Sequence, residues 1–149
     1  MLVYRITLAK YAQGLLASGR AARWNSNDHE MIYTSSSQSL VCLENVVHRS
    51  QIGISDHFRV LTIEIPESIT IGSLDLTQLP EQWYAFENMK ITQHLGDQWL
   101  KNVHSAVLRV PSSIIKSEFN YLLNPRHADF GLIKLLKAEP FIFDERIKR

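Results

Sequence analysis

A glutamate set into an apolar helix stripe constrains this chain more than any other feature. Between Arg20 and Arg49 the sequence runs RAARWNSNDHEMIYTSSSQSLVCLENVVHR. A polar loop holding Arg23, Trp24 and Asn25 leads into a short strand that ends at Tyr33. Ser35, Ser36 and Ser37 follow as a turn, with hydroxyls suited to the free backbone N–H groups of a helix start. In the helix beyond them, Leu40, Val41, Leu43, Val46 and Val47 fall on one broad face at about 100° per residue. Glu44 projects onto that same face, whereas Cys42, Asn45 and Arg49 take the opposite side. An unpaired buried carboxylate is costly. Glu44 therefore either meets a cation such as Arg5 or Arg23 in a structural ion pair, or lines a solvated cleft and stabilises developing positive charge. Periodicity leaves both open.

The chain as a whole narrows the classes. Its 149 residues predict one domain over 1–149 with its own core. An apolar fraction of 45% and a charged fraction of 21% are those of an ordinary soluble globular protein. A net charge of +1 makes no general electrostatic case for nucleic acid or for an anionic membrane surface. No apolar run approaches the ~20 residues of a membrane span. The lone Cys42 excludes an internal disulfide framework and suits a reducing compartment. The opening MLVYRITLAKYAQG lacks the continuous apolar region and small-residue cleavage site of a signal peptide, so a cytoplasmic location is expected.

Taken in order, Leu2–Thr7 is rich in β-formers and predicts a first strand, with Val3, Arg5 and Thr7 on the less apolar face. A helix or turn is expected around Ala9–Leu16, then the polar loop Arg20–Glu30, long enough to contact a ligand. FRVLTIEI, Phe58–Ile65, predicts a strand that Pro66 ends. Ser68–Ser73 suggests a strand extension, and Leu74–Pro80 a loop with one helical turn. Met89–Lys101 predicts a helix with Ile91, His94, Leu95 and Trp99 on its packed side, interrupted by Gly96. Further strands are expected at Ala106–Val110, Glu118–Leu123, Gly131–Leu136 and Phe141–Phe143. Many short strands and two helices predict an α+β fold, a compact mixed β core with flanking helices.

Several chemistries find no support in the residue pattern. Six scattered glycines make neither GxGxxG nor GxxxxGK[ST]. The six histidines show no paired zinc spacing, a catalytic-serine elbow GxSxG does not occur, and no metal is expected. The aromatics do not interleave with a basic cluster, so direct nucleic-acid binding is not expected.

Four blocks carry a family pattern: YRI near the start, RWN, IYTSSSQSLVCLE, and VPSSIIKSEFNYLLNP with His127 and Phe130 shortly after. Their order and separations resemble the RES-domain toxins of bacterial toxin–antitoxin pairs. The domain's recurring Arg, Glu and Ser are matched by Arg5, Glu44 and Ser112, and Arg23 and Tyr33 match two further residues of the family's cleft. Ala21-Ala22 stand where small residues, often glycine, are usual, and Lys116 where proline is common. The resemblance implies a fold similar to ADP-ribosyltransferases, NAD as substrate and an Xre-type antitoxin as partner, with a homodimer inside the toxin–antitoxin complex as an open arrangement. It also implies roles. Glu44 would stabilise an oxocarbenium-like transition state as the nicotinamide–ribose bond breaks. Tyr33 would stack on nicotinamide, Arg5 and Arg23 would bind the pyrophosphate, and Ser112 would hydrogen-bond ribose or orient Glu44. The leading expectation is an NAD-degrading toxin using water or phosphate as acceptor. A transferase acting on a protein, a non-enzymatic interaction module and a nucleic-acid-acting toxin are the alternatives.

Overall fold

The computed structural model describes residues 1–48 and 57–148. Seven strands form one mixed sheet: β1 (Leu2–Leu8), β2 (Ile32–Ser35), β3 (Phe58–Glu64), β4 (Ile71–Ser73), β5 (Val107–Pro111), β6 (Phe119–Leu123) and β7 (Lys134–Phe141). Their spatial order is β4-β5-β6-β2-β1-β3-β7, antiparallel throughout except for the parallel β4–β5 pair. Two helices accompany it, α1 (Gln38–His48) and α2 (Met89–Asn102). The fold is α+β, as many short strand patterns with only two helix patterns predict. Among the described residues, no helix is long and apolar enough to cross a membrane.

One relationship in the sheet matters most for the site. β1 and β3 pair over seven residues, and β2 and β6 over four, but β1 and β2 are in register only at Tyr4 and Ser35. The sheet therefore has a seam along which two neighbours barely pair. One face packs a single cluster that includes Val3, Ile32, Leu61, Ile63, Val107 and Leu123. The other carries two clusters, one on each side of the seam. Trp24, Trp83, Trp99, Leu108, Val110 and Leu122 pack on the β5–β6 side, and Ile6, Val41, Phe58, Val60 and Phe143 on the β1–β3 side.

Several local expectations shift. The Val3/Arg5/Thr7 face of β1 is not the less buried one: Val3 and Thr7 are buried, because Ala12, Leu15 and Ala17 fold across that side, while Leu2 on the other face is exposed. Only Ala9–Tyr11 of the expected Ala9–Leu16 segment is helical, as a single 3-10 turn. On α1, Leu40 and Val41 are buried but Val47 is exposed, and Cys42 packs against the Ile6–Phe58 cluster instead of facing away from it. The helix lies over the sheet with the C-terminal Phe143 beside it, so its covered arc is wider than one stripe. Arg49 lies outside the described residues.

In α2 the buried side is Thr92, Gly96, Trp99 and Leu100, with Ile91 and His94 exposed. Gly96 does not interrupt this helix. A Cβ there would collide with the Trp24 carbonyl, so glycine is what lets α2 lie against the loop. The expected strand Gly131–Leu136 divides into a 3-10 turn, Ala128–Leu132, and β7. His127 Nδ1 accepts the Asp129 N–H at 3.0 Å and starts that turn. Phe141 ends β7, leaving Ile142 and Phe143 beyond the sheet.

Candidate active site

The seam opens into a cavity of about 580 Å³, whose walls include Arg5, Arg23, Tyr33, Glu44, His48 and Asn120. They come from β1, the loop before β2, β2, α1 and β6, with Glu44 and His48 both on α1. Strand alternation puts Tyr33 and Ser35 of β2 on the same face as Asn120 of β6, since Ser35 and Asn120 are register partners. Helix α1 crosses above this face. Ser37 Oγ accepts the Leu40 N–H at 3.1 Å and caps the helix start, as the serine turn predicts. Glu44, two turns into α1, is thereby aimed down at β6.

Glu44 Oε1 accepts hydrogen bonds from Ser112 Oγ at 2.8 Å and from Asn120 Nδ2 at 2.7 Å. Its Oε2 lies 3.2 Å from His48 Nε2, one helical turn on. Burial alone pushes the Glu44 carboxyl up, but hydrogen bonds from His48, Asn120 and Ser112 outweigh it and hold the group below the usual carboxylate range. The carboxylate is thus kept ionised while its side chain is only 15% exposed. One oxygen is fully committed to the sheet side. Among the described residues, the other meets a surface histidine, and this leaves the charge available to the cavity.

Ser112 is fully buried, behind Glu44 and not in the cavity wall. Its Oγ also accepts the N–H groups of Ile114 and Ile115, both at 3.1 Å, so its hydroxyl proton is committed to Glu44. Asn120 is fixed in the same way, with Oδ1 accepting the Ser35 hydroxyl at 2.7 Å. Sequence reasoning assigns Asn120 to backbone turns and gives His48 no role. The Asn120 contact is tertiary and no local pattern shows it, whereas Glu44 and His48 are i,i+4 neighbours on α1, a spacing already present in the sequence.

The loop before β2 is built around Asn25, which is buried and whose Nδ2 reaches the carbonyls of Arg20, Ser26 and His29. Asn25 Oδ1 accepts the Tyr33 hydroxyl at 2.6 Å, and that hydroxyl in turn accepts the Trp24 N–H at 3.0 Å. Burial drives the Tyr33 phenol strongly upward, so it stays neutral and serves as a fixed hydrogen-bonding post, with the ring in the cavity wall. From the other side α2 grips the loop: Thr92 Oγ1 donates to Arg23 O at 2.6 Å and Gln93 Nε2 to Ala22 O at 2.9 Å.

Arg23, presented by this loop, donates from Nη1 to Ala85 O at 3.1 Å. Among the described residues, its Nε is buried without a hydrogen-bond partner. Burial lowers its pKa, while the charge of Glu44 opposes that shift; a guanidinium stays cationic regardless. An unsatisfied buried donor costs about 1–3 kcal/mol, and in a cavity wall it marks where an acceptor belongs. Arg5 reaches the cavity from the opposite face of β1, through the seam, with Nη1 donating to Leu16 O at 2.6 Å. Among the described residues, no three His, Cys, Asp or Glu side chains gather as a metal site.

The cleft between the two halves of this α+β sheet thus joins a caged carboxylate and two arginines around one cavity. The chain belongs to the RES domain family, whose family model matches residues 2–144. Among its relatives, Toxin Res of Yersinia enterocolitica is 36% identical over 154 residues, covering 99% of this chain and 100% of that one. The Prs ADP-ribosylating toxin of a Sphingobium species is 34% identical over 129 residues, or 85% of this chain and 80% of that one. In three dimensions the chain is similar to a chain of the M. tuberculosis MbcT–MbcA toxin–antitoxin complex. The TM-score is 0.71 at 14% identity, over 94% of this chain and 83% of the other.

Proposed function

We propose that this protein is a toxin that binds NAD in the seam cavity and breaks its nicotinamide–ribose bond, with Glu44 as the principal catalytic group. The observation that carries this is the pairing of an ionised, caged Glu44 with the cavity-wall Arg23, whose buried Nε lacks a partner. In the reaction the glycosidic C–N bond breaks, the electron pair leaves with nicotinamide, and positive charge develops on the ribose. A fixed carboxylate nearby stabilises that charge without reorganising. An acceptor oxygen then bonds to the ribose carbon and gives up its proton. Tyr33 offers its ring to nicotinamide, and Arg5 and Arg23 offer donors to the pyrophosphate. Ser112 acts through Glu44 in this reading, as a positioning residue.

Degradation with water or phosphate as acceptor is the first reading. Transfer of ADP-ribose to a protein is the second, favoured by the name of the Sphingobium relative. An antitoxin that covers the cavity fits the toxin–antitoxin complex among similar structures; an Xre-type partner, a homodimer within the complex and a cytoplasmic site of action extend the proposal. The test is incubation of purified protein with NAD, following nicotinamide release, with Glu44→Gln as control. Release by the wild type alone supports the proposal, and mass spectrometry for a protein adduct then separates the two acceptors. Equal release by a folded Glu44→Gln variant removes Glu44 from the mechanism.

A further inference from the structure

At the mouth of the cavity a large apolar ring stands in the open. Phe86 is 77% exposed, yet it belongs to the cavity wall. It is the most exposed of the large hydrophobic side chains described. Leaving a phenylalanine in water costs folding free energy that burial elsewhere would recover, and its backbone is not loose enough to explain the exposure.

The segment that carries it is held on three sides. Trp83 is buried and packs on Trp24 with ring centroids 5.7 Å apart. Lys116 Nζ stands 3.5 Å from the centre of the Tyr84 ring. Ala85 O accepts the Arg23 guanidinium, and Asn88 Nδ2 closes the turn onto Gln82 O at 2.9 Å. Phe86 is therefore an aromatic face on a pinned support, one residue from the carbonyl that orients Arg23.

We infer that Phe86 is the stacking platform for the adenine base of the dinucleotide, at the outer end of the cavity. The inference rests on the NAD reading and adds the residue that selects the adenylate half. A dinucleotide has two flat bases joined by a pyrophosphate. The cavity has an inner ring, Tyr33, an outer ring, Phe86, and between their elements a guanidinium tied to the Phe86 segment through Ala85 and lying within charge range of Tyr33 and Glu44. Aromatic stacking suits any base with a π-face, so Phe86 would supply affinity for a nucleobase without hydrogen-bond readout.

The experiment compares NAD with nicotinamide mononucleotide, which keeps the scissile bond but lacks the adenylate. Wild type, Phe86→Ala and Phe86→Tyr are assayed for nicotinamide release, and each ligand is titrated by calorimetry into the Glu44→Gln background. Phe86→Ala is expected to lower the NAD-to-mononucleotide ratio of kcat/KM, and of affinity, by about tenfold or more. Phe86→Tyr is expected to restore it. An unchanged ratio in a folded Phe86→Ala protein with active wild type overturns the inference and leaves the ring to a protein partner. Equal losses on both ligands also overturn it, since the ring would then serve the nicotinamide end. Wild-type protein that neither binds nor cleaves NAD sinks the reading of the site itself, and the platform with it.

Discussion

Ser112 Oγ donates to Glu44 Oε1 at 2.8 Å while accepting two backbone N–H groups, from Ile114 and Ile115. One buried hydroxyl thus fixes the turn after β5 and the orientation of the Glu44 carboxylate across 68 residues of sequence.

Ser112→Ala removes a donor from Glu44 and the acceptor of two N–H groups. Stability is expected to fall by about 1–3 kcal/mol, seen as a lower Tm. A carboxylate free to rotate should cost roughly tenfold in kcat, with KM much less affected. The reverse split, intact kcat and weakened NAD binding, would instead give Ser112 a direct contact with substrate.

Acid should weaken the native state through Glu44. Burial pushes its carboxyl up, but the hydrogen bonds from His48, Asn120 and Ser112 bring the folded value below the unfolded one of about 4.3. The native protein then binds fewer protons than the unfolded chain between those values. The contribution of Glu44 is complete above the unfolded pKa and is lost as pH falls through the folded one. Melting curves from about pH 7 down to pH 3 should show the wild type losing Tm more steeply than Glu44→Gln. Parallel curves would mean that the cage does not favour the ionised form.

Arg23→Lys keeps a charge but loses the planar fork and the Nε donor. Affinity for ADP-ribose, read by calorimetry, is expected to drop about tenfold or more, the scale of one charge-assisted hydrogen bond. The fold should tolerate the change, since the lost Nε had no partner to begin with. Unaltered affinity would take Arg23 out of pyrophosphate binding.

Gly96→Ala ought to help an isolated helix by about 1 kcal/mol. Here the new methyl would run into the Trp24 carbonyl, and α2 would have to move off the loop that presents Arg23. A net loss of about 1–3 kcal/mol is expected, with reduced affinity for ADP-ribose. A raised Tm would show that α2 and the loop can separate freely.

The elements that read clearly in the sequence are those with a local cause. β1, β3, β5 and β6 carry β-branched and aromatic residues packed against a core, and α1 begins where Ser37 supplies an acceptor. Val60, Leu61 and Ile63 are all apolar because β3 is packed on both faces, Val60 in the Ile6–Phe58 cluster and Leu61 and Ile63 in the Val3 cluster. β7 is legible only over Lys134–Leu136: KLLKAEPF is an edge strand, exposed along most of its length, so no face imposes alternation on it. The packed side of α2 was misread because small residues, Thr92 and Gly96, make its closest contacts, and hydropathy gives them little weight.

Residue identity alone settles the chemistry on offer: a carboxylate where an apolar helix would not place one, arginines in short blocks, and the order of blocks that marks the RES family. The tertiary structure decided which groups meet that carboxylate. Asn120 reaches Glu44 over 76 residues because β6 pairs with β2 in a register that puts Asn120 beside Ser35, beneath α1. Arg23 faces the cavity because α2, more than sixty residues on, holds the loop by Thr92 and Gln93. Sheet register and helix docking are set by the sum of many distant contacts, and no local window of the chain contains them.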